Sequence, residues 1–427
     1  MASTSSAGEQ EDARPLDDPE ERKHIYGVLN SFHRYRDQAH FHFTHKRRQA
    51  FYAMPQADWQ MLSQAPFNIL DTLSAVDDAI DKNADIAESI LQSGLAYAEV
   101  EQSEGDCKPE WQGPVLPHNQ EKTHSTLRQL FREWSAEGAS ERETCFTPVI
   151  EALNTEYPSL LERNHLKVLV PGAGLGRLVF ELCYHGYGVE GNEISYHQIL
   201  TSNHILNFTS KAEEFELYPF VHEFSNHLTR ADQFQKVLVP DINPGLELQK
   251  AWEAQITKAQ DRKSDYKNLN PVHPFNRLSY SSADFCIAYL EEEHAAMFDA
   301  LATVFFIDTA PNLIRYIRTV RNCLKEGGIW VNIGPLKWHF DGGENSQSQH
   351  GSNATATSSR DTGIAEPGSV ELVEDEVLLL VEAMGFTIEK HEVMNRETGY
   401  ITNLRSMWYA AYRPTFWIAR KTRLSQA

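Results

Sequence analysis

The segment Lys167-Val-Leu-Val-Pro-Gly-Ala-Gly-Leu-Gly-Arg-Leu178 decides the fold of this chain of 427 residues. Its opening residues form a short apolar run, which is typical of a buried parallel strand, and three glycines follow at once at alternate positions. Leu178, Val179 and Leu182 then recur at helical spacing, so the predicted order is strand, glycine turn and helix. Such a turn lets a ligand touch the backbone, and the segment therefore predicts a ligand-binding site.

A carboxylate at the end of a second predicted strand, Tyr187 to Gly191, indicates a nucleoside ligand. Glu193 lies 21 positions after Gly172, where an acid can bond the two hydroxyls of a ribose. A dinucleotide fingerprint needs its third glycine at the position of Arg177, but that glycine comes one residue early, at Gly176. No Gly-Lys-Ser or Gly-Lys-Thr closes the turn, which excludes a P-loop. A glycine turn without any ligand stays open at this point.

Composition and charge limit the compartment and the partners. The chain has 60 acidic and 39 basic residues and a net charge of −21, which argues against nucleic acid and membrane surfaces as partners. Its five cysteines are widely spaced, with no Cys-x-x-Cys, so we expect a reducing compartment and neither a zinc site nor a disulfide framework. No segment has the length and apolarity of a signal peptide or a membrane anchor. The expected location is cytoplasmic, with the nucleus as an alternative.

The chain divides by composition into three parts, the last of which contains a low-complexity segment. Residues 1–21 are polar and acidic and are predicted to form a disordered tail, whereas residues 22–118 have a helical pattern. Residues 119–427 contain the glycine turn and form the predicted catalytic domain. Within it, residues 341–369 are rich in Gly, Ser, Asn and Thr and are expected to form a disordered surface loop. The histidines of the helical part lack any finger spacing, so we expect no metal.

Two further strand ends carry acids. Asp284 and Phe285 follow the third strand, where an acid can bond an adenine amino group and an aromatic ring can stack on the base, although a simple turn fits equally well. The apolar run Leu301 to Ile307 predicts a central strand that ends at Asp308. Open α/β sheets bind their ligands at such carboxyl ends. The structural alternative for Asp308 is an amino-terminal cap of the helix that begins near Pro311.

A polar pair lies on the helix predicted from His124 to Trp134. Gln129 and Arg132 are three residues apart and therefore project from one helical face. From the residues alone, the favoured interpretation of this face is a solvated surface.

The closing strands complete a recognisable sheet. Phe386 to about Val393 and Thr415 to Arg420 have no good helix between them, which predicts an antiparallel hairpin at the edge. The predicted fold class is α/β, with a Rossmann-like sheet of order 3-2-1-4-5-7-6, an antiparallel last strand and a helical N-terminal extension. This sheet, together with the Gly-x-Gly-x-Gly turn, resembles class I S-adenosylmethionine-dependent methyltransferases.

Five motifs sharpen this resemblance to one family. They are Val170-Pro-Gly-Ala-Gly-Leu-Gly-Arg-Leu178, Gly191-Asn-Glu-Ile-Ser195, Phe305-Phe-Ile-Asp-Thr-Ala310, Gly327-Gly-Ile-Trp330 and Gly334-Pro-Leu-Lys-Trp-His339-Phe340. In this order and setting the chain resembles the carnosine N-methyltransferases from about residue 120 to residue 421. The last three motifs carry the specificity, because generic methyltransferases share only the glycine turn.

The resemblance implies a role for individual residues. The implied S-adenosylmethionine-binding residues are Gln129, Arg132, Gly172, Gly174, Glu193, Asp284, Phe285 and Val304. The implied substrate pocket consists of Phe305, Asp308, His339 and Tyr412, and Asp308 is the implied catalytic residue. Ala410 and Ala411 stand where the family has tyrosines, which bears on dipeptide specificity more than on the reaction.

An acid of this kind suits methyl transfer to an imidazole. A neutral imidazole attacks through one nitrogen, while the N–H on the other becomes acidic as positive charge develops on the ring. Asp308 accepting that N–H would select the tautomer and stabilise the charge. The predicted activity is therefore S-adenosylmethionine-dependent N-methylation of the imidazole of carnosine, giving anserine, or of a related small histidine-containing peptide.

Three alternatives remain. The same fold and cofactor could act on a histidine within a protein or on another small imidazole. A methyltransferase-fold binding protein without turnover is the alternative from another class, and an NAD-dependent dehydrogenase is disfavoured by Arg177. The expected partner is a small imidazole dipeptide. The sequence does not determine the oligomeric state, for which a homodimer is one alternative.

Overall fold

Residue contacts divide the chain into two compact units, Met1–Ser125 and Thr126–Ala427. The structure, a computed structural model, describes residues 18–100, 108–261, 271–339, 363–365 and 368–423. Most of the predicted acidic tail and most of the predicted loop at 341–369 therefore lie outside the described residues.

The first unit is helical, as the sequence predicts. Its helices are α1 (Pro19–His33), α2 (Tyr35–Ala39), α3 (Lys46–Tyr52), α4 (Gln56–Leu62) and α5 (Ile69–Tyr97), with a π-helical segment at His40–His45 between α2 and α3. Asp18 caps α1, because its carboxylate accepts the backbone N–H of Glu20 at 2.8 Å. α1 packs against α5, and the buried side chains of Ile25, Val28 and Ile80 form part of the core of this unit.

Three properties of the described residues bear on cofactor and compartment. They contain no helix that is long and apolar enough to cross a membrane. They also contain no group of three or more His, Cys, Asp or Glu side chains placed to hold a metal ion. The cysteines among them, Cys145, Cys183, Cys286 and Cys323, are buried free thiols.

The second unit is built on a mixed sheet of seven strands. Two further strands, β3 and β4, lie outside this sheet. In chain order the strands are β1 (Lys167–Pro171), β2 (Gly188–Glu193), β3 (Phe215–Leu217), β4 (Val237–Val239), β5 (Leu278–Ser282), β6 (Phe298–Val304), β7 (Leu324–Gly334), β8 (Phe386–Val393) and β9 (Thr415–Lys421). The large sheet has the order β5-β2-β1-β6-β7-β9-β8, and β3 pairs only with β4. All neighbours in the large sheet are parallel except β9, which runs antiparallel to both β7 and β8. The predicted order 3-2-1-4-5-7-6 is confirmed.

The central strands are covered on both faces. Val168, Leu169 and Val170 are consecutive and all buried, and the same holds for Trp330 and Val331 in β7. Because side chains alternate between the faces of a strand, consecutive burial means that helices cover both sides of the sheet. Truncating Leu169 to alanine in this core would cost about 2–5 kcal/mol of unfolding free energy.

Strand β6 ends earlier than predicted. It stops at Val304, so the predicted end at Ile307 is wrong. The cause is Phe305, whose φ of +54° is left-handed and breaks the extended backbone. Phe306 and Ile307 are nevertheless buried in the core, which explains why the apolar run continues past the strand.

Helices connect and cover these strands. They are α6 (Pro117–Trp134), within which the boundary of the two units falls, then α7 (Ala139–Cys145), α8 (Thr147–Glu156), α9 (Arg177–Tyr184), α10 (Tyr196–Asn207), α11 (Arg230–Gln233), α12 (Pro244–Asp261), α13 (Phe285–Ala288), α14 (Leu313–Cys323) and α15 (Glu374–Ala383). The region between α10 and β5 contains the small β3–β4 sheet together with α11 and α12.

Candidate active site

The glycine turn lies between β1 and α9 and has no room for side chains. Gly172, Gly174 and Gly176 have φ values of +64°, +57° and +81°, which other residues adopt rarely. A Cβ on Gly172 would lie 2.5 Å from Cδ2 of Phe306, and a Cβ on Gly174 would lie 2.9 Å from Oε1 of Glu133. The glycines therefore bring an aromatic ring and a carboxyl group directly against the turn backbone.

Glu193, at the end of β2, is tied to the same turn. Its Oε2 accepts the N–H of Gly174 at 3.0 Å, and its Oε1 accepts the N–H groups of Ile194 and Ser195 at 2.9 and 3.0 Å. Burial raises the pKa of the Glu193 carboxyl, while these three hydrogen bonds act in the opposite direction. The side-chain amide of Gln198 also lies 3.1 Å from both carboxyl oxygens when its nitrogen faces them. This amide fills the last of the about four acceptor sites of the carboxylate, and a ribose hydroxyl would replace it there.

The polar face of α6 is buried. Gln129 and Arg132 both lie inside the second unit, and Arg132 is only 4% exposed, so the solvated interpretation of this face is wrong. Nε2 of Gln129 donates to Oε1 of Glu133 at 2.8 Å, and Nε1 of Trp134 donates to the carbonyl of Leu175 in the glycine turn at 2.9 Å. The last turn of α6 is thus anchored to the glycine turn.

Arg142 fixes the end of α6. Its Nη1 donates to the carbonyls of Arg132 and Ser135 at 2.8 and 2.7 Å, which satisfies orphan carbonyls and places a cation at the helix carboxyl end. The chain then reverses so tightly that a Cβ on Gly138 would lie 2.2 Å from the carbonyl of Phe131. This geometry holds Arg132 in position.

Arg132 lies among aromatic rings with part of its guanidinium unpaired. Its Cζ is 4.6 Å from the ring centre of Tyr400, 5.3 Å from that of Phe305 and 5.5 Å from that of Phe146. Within the described residues, Nε and Nη2 have no hydrogen-bond partner, although Oε2 of Glu141 lies 3.6 Å from Nε. A buried guanidinium with unused donors is suited to a ligand carboxylate.

Glu133 is a site residue that the sequence reasoning missed. It is buried beside Gly174, and its Oε2 lies 3.4 Å from the backbone N of Arg177 at the start of α9. Burial raises the pKa of its carboxyl, opposed by the charge of Arg132. Its position four residues after Gln129, on the same helical face, was the available signal.

Asp284 and Phe285 lie at the start of α13. Asp284 caps this helix, with Oδ1 accepting the N–H of Cys286 at 2.7 Å, and its Oδ2 accepts the N–H of Ile364 at 2.7 Å. The ring of Phe285 is 1% exposed and packs 5.6 Å from the ring of Phe306. The ring is enclosed in this conformation, and its stacking on adenine stays a prediction. Asp284 remains a candidate for the adenine amino group.

Asp308 is enclosed but incompletely hydrogen-bonded. It is 2% exposed, and its Oδ2 accepts the backbone N–H of Lys337 at 3.1 Å, whereas Oδ1 has no hydrogen-bond partner among the described residues. Burial raises the pKa of this carboxyl. Helix α14 begins at Leu313 and has Asn312 at its cap position, so the alternative of Asp308 as a helix cap is wrong.

His339 follows β7 and is placed by Asp308. Its backbone N–H donates to the carbonyl of Asp308 at 3.3 Å, and its Nδ1 lies 2.7 Å from the carbonyl of Lys337. A carbonyl can only accept, so Nδ1 carries the proton and Nε2 is the acceptor in the neutral ring. The exposed imidazole and the buried carboxyl therefore share one loop.

Three aromatic side chains form a wall at the same strand end. The ring of Phe305 is 5.6 Å from that of Tyr400 and 5.8 Å from that of Tyr412. Thr398 and Tyr412 exchange backbone hydrogen bonds of 3.0 and 2.7 Å, which brings the two tyrosines together. Tyr400, which is 42% exposed, was missed because no local pattern reveals this pairing. The left-handed φ of Phe305 costs about 1–3 kcal/mol, and such strain clusters at functional sites.

Two further positions complete the comparison with the predicted site. Val304 ends β6, is half-buried and pairs with Ile333 of β7, so it offers the site packing alone. Ala410 and Ala411 are exposed in the segment that precedes Tyr412. The structure thus brings Phe305 and Tyr412 into contact with each other and joins Asp308 to His339.

The sheet order, the glycine turn after β1 and the buried acid after β2 define a class I methyltransferase. The family model for carnosine N-methyltransferase matches residues 109–423, which is well over half of the chain. The chain therefore belongs to the carnosine N-methyltransferase family and is an S-adenosylmethionine-dependent methyltransferase.

Several relatives match over almost the whole chain. A carnosine N-methyltransferase of Schizosaccharomyces pombe is 33% identical over 94% of this chain and 97% of its own length. The Mus musculus protein of the same name is 31% identical over 94% of this chain and 86% of its own length. Among solved structures, an S-adenosylmethionine-dependent methyltransferase from Methanosarcina mazei aligns with 60% of this chain and 92% of its own at 16% identity and a TM-score of 0.30. That score is too low to bear on the site.

Proposed function

We propose that this protein transfers the methyl group of S-adenosylmethionine to an imidazole nitrogen of carnosine, giving anserine, or of a related small histidine-containing peptide. The observation that carries the proposal is Asp308, a buried carboxyl with an unpartnered oxygen at the carboxyl end of the central strand β6. The relatives support the substrate, since those from S. pombe and mouse are carnosine N-methyltransferases.

The residues around the glycine turn fit the cofactor. The two unpartnered nitrogens of Arg132 match the methionine carboxylate. The Glu193 carboxyl, held against the glycine turn, is placed to accept a ribose hydroxyl in exchange for the amide of Gln198. The carboxyl groups of Glu133 and Glu193 lie against the same turn, where they favour a ligand that carries positive charge. When bound, S-adenosylmethionine supplies an electrophilic methyl group.

Asp308 then acts on the imidazole. Its Oδ1 accepts the ring N–H, which fixes the tautomer and leaves the lone pair of the other ring nitrogen for attack. As the new N–C bond forms, the ring becomes positively charged, and the carboxylate stabilises that charge where water is excluded. The ring proton afterwards leaves by way of Oδ1 to solvent, which restores the carboxylate for the next turnover.

His339 and the aromatic wall serve to orient the substrate. Because Nδ1 of His339 is held by the carbonyl of Lys337, the acceptor Nε2 is available to a donor such as the amino group of a dipeptide. Phe305, Tyr400 and Tyr412 offer ring faces to the imidazole. Holding nucleophile and methyl group in a near-attack geometry is the main source of acceleration that this arrangement provides.

A direct assay tests the proposal. The purified protein is incubated with methyl-labelled S-adenosylmethionine and either carnosine, free histidine or a histidine-containing protein, and the products are mapped by mass spectrometry. We expect a single methyl group on one imidazole nitrogen of carnosine. Binding of S-adenosylhomocysteine without transfer to any imidazole would instead indicate a non-catalytic binding protein.

One feature favours a second candidate substrate. Ala410 and Ala411 are small and exposed on the segment next to Tyr412, so this side of the pocket has less bulk than two tyrosines would give. A histidine within a protein or another small imidazole is the substrate class that such an opening would admit. In the same assay, transfer to the protein histidine and not to carnosine would support it.

For the location we propose the cytoplasm, with the nucleus as the second compartment. The free, buried thiols of the described residues are those of a protein kept under reducing conditions. Fluorescence microscopy of the tagged protein tests this, and secretion or a membrane pattern would contradict it.

A further inference from the structure

The segment that carries Tyr400 is held by a buried acid outside the predicted site. Glu141 lies in α7 and is buried. Its Oε2 accepts the backbone N–H of Ile401 at 3.0 Å, and its Oε1 accepts that of Thr402 at 2.8 Å. One carboxylate thus holds two consecutive backbone amides, one with each oxygen.

The backbone that presents these amides is strained. Ile401 has a φ of +59°, which is a costly conformation for a β-branched residue. The turn is also so tight that a Cβ on Gly399 would lie 1.5 Å from Oγ1 of Thr402 and 3.0 Å from Oε1 of Glu141. A conformation of this kind persists only if its surroundings stabilise it, and the Glu141 carboxylate is placed to do so.

Packing around the segment is open on one side. Glu141, Thr398, Gly399 and Thr402 line a cavity of about 450 Å³, so the segment is not closely packed on that side. Besides Glu141, the carbonyl of Ile401 accepts one long hydrogen bond of 3.4 Å from Nη2 of Arg128. The backbone pairing of Thr398 with Tyr412 anchors the chain just before Gly399. Beyond that point, the two hydrogen bonds to Glu141 are shorter than the one to Arg128.

The same carboxylate faces the cofactor side of the site. Oε2 of Glu141 lies 3.6 Å from Nε of Arg132, whose guanidinium stands 4.6 Å from the ring centre of Tyr400. The acid is thus close both to the group that fits the methionine carboxylate and to the segment that walls the substrate pocket.

We propose that Glu141 is a positioning residue that couples the two halves of the site, holding the segment Gly399–Thr402 and its Tyr400 over the guanidinium of Arg132. Cofactor bound at Arg132 then fixes the pocket wall, and the imidazole substrate binds more tightly as a result. This inference rests on the proposed function and adds to it an order in which the cofactor strengthens substrate binding.

The test compares Glu141→Gln with a matched control, Glu143→Gln. Glutamine keeps the shape but presents an NH2 group to one of the two backbone amides, so a donor faces a donor. Glu143 is two residues away on α7 and forms an exposed ion pair of 3.2 Å with Arg396. Substrate binding is measured as the Kd of carnosine with and without S-adenosylhomocysteine, together with KM and kcat.

For the wild type and Glu143→Gln we expect S-adenosylhomocysteine to tighten carnosine binding by about fivefold or more, the usual scale of coupled sites. In Glu141→Gln this ratio should fall to near one, and KM for carnosine should rise about tenfold, while the affinity for S-adenosylhomocysteine alone changes less than about threefold. Glu141→Asp, which retains two acceptor oxygens, should recover part of the coupling. A wild-type ratio and KM in a folded Glu141→Gln protein would overturn the inference.

Hydrogen exchange separates this inference from the proposed function. The amides of Ile401 and Thr402 should exchange slowly in the wild type and at least about tenfold faster in Glu141→Gln, whatever the substrate is. If the wild type methylates no imidazole, the proposed function fails while this exchange difference still reports on Glu141. If exchange at these two amides is the same in both proteins, the positioning role is lost even where carnosine is methylated.

Discussion

Asp308 combines two properties that suit a ligand with a hydrogen-bond donor. One carboxyl oxygen is held by the backbone of Lys337, and the other is enclosed without a partner among the described residues. An unsatisfied buried acceptor costs about 1–3 kcal/mol, and an N–H donor from a substrate would remove that cost. The environment therefore selects a ligand that presents a hydrogen-bond donor.

The first prediction concerns Asp308→Asn. The amide keeps the shape and one acceptor oxygen but loses the charge that faces the developing imidazolium. We expect turnover to fall about a hundredfold or more, comparable to the loss of one oriented electrostatic contact, with little change in cofactor affinity. Steady-state kinetics and calorimetry with S-adenosylhomocysteine measure the two effects. Near-normal turnover in a folded variant would remove Asp308 from the mechanism.

The second prediction is a pH dependence. Burial raises the pKa of Asp308, and only its charged form stabilises the positive charge that develops on the imidazole, so activity should fall as pH decreases through that raised pKa. The imidazole of the substrate must also be neutral, which adds a second protonation to the acid limb. Asp308→Asn removes one of these two protonations. In this variant the slope of log kcat/KM against pH should therefore be smaller by about one at low pH. An unchanged slope would mean that Asp308 does not titrate in this range.

The third prediction concerns Arg132→Ala. Removing the guanidinium should weaken binding of S-adenosylhomocysteine by about 1.5–3 kcal/mol, the range for hydrogen bonds to charged groups. Arg396→Ala is the control, because Arg396 is an exposed arginine of the same unit that pairs with Glu143. Calorimetry measures the affinity of both variants for S-adenosylhomocysteine. If Arg132→Ala binds it as tightly as Arg396→Ala does, the role of Arg132 is purely structural.

At the scale of single residues, local pattern was a partial guide. Glu193 and Asp308 could be predicted from their positions after apolar strands, because the ends of parallel strands meet at one edge of a sheet. The favoured interpretation of Gln129 and Arg132 from the residues alone was wrong, since burial of a polar helix face depends on what packs against it. Tyr400 depends on the distant pairing of Thr398 with Tyr412 and had no local signal.

At the scale of elements, the apolar strands could be predicted from local pattern, whereas the points at which strands and helices begin and end could not. Strand β1, before the glycine turn, was predictable because its apolar run Val168 to Val170 is continuous and buried on both faces. The end of β6 was not, because the φ of Phe305 is imposed by tertiary contacts and leaves no trace in the hydrophobic pattern. Helix α6 was predicted to begin at His124 and begins at Pro117, seven residues earlier.

A short turn, Gly363–Ala365, gives the fourth prediction. The N–H of Ile364 donates to Oδ2 of Asp284, and a Cβ on Gly363 would lie 2.2 Å from that oxygen. Gly363→Ala should therefore displace the turn, free the carboxyl to rotate and weaken S-adenosylhomocysteine binding about two- to tenfold, the value of one ordinary hydrogen bond.

The control for this variant is Gly368→Ala. Gly368 also has a positive φ, +104°, but no atom of the described residues lies within 4 Å of its added Cβ, so the backbone strain is similar and the contact with Asp284 is untouched. Cofactor affinity should stay at the wild-type value in this control. Tighter binding in Gly363→Ala would show instead that the turn competes with the adenine for Asp284.

At the scale of the whole molecule, the sequence predicted the sheet order but not the substrate class. The electrostatic field of the protein bears on that class, because it attracts some substrates more than others. A net charge of −21 attracts cationic partners and repels anionic ones over a Debye length of about 8 Å at physiological salt. A dipeptide with a neutral imidazole carries one positive and one negative terminus, so this field steers it little. A histidine within a basic protein segment would be strongly attracted.

The fifth prediction uses this difference to separate the two substrate classes. For carnosine, kcat/KM should change less than about twofold between about 20 and 300 mM salt, because steering acts on net charge. A peptide with histidine between lysines provides the contrast, since its long-range attraction to an acidic protein is screened by salt and its kcat/KM should fall about tenfold or more if it is used at all. The sign of the charge matters, so a peptide with histidine between glutamates should respond in the opposite direction. A steep loss of carnosine turnover with salt would mean that the protein attracts a charged group of the substrate at long range. That result would favour a basic histidine-containing protein over the neutral dipeptide as the substrate.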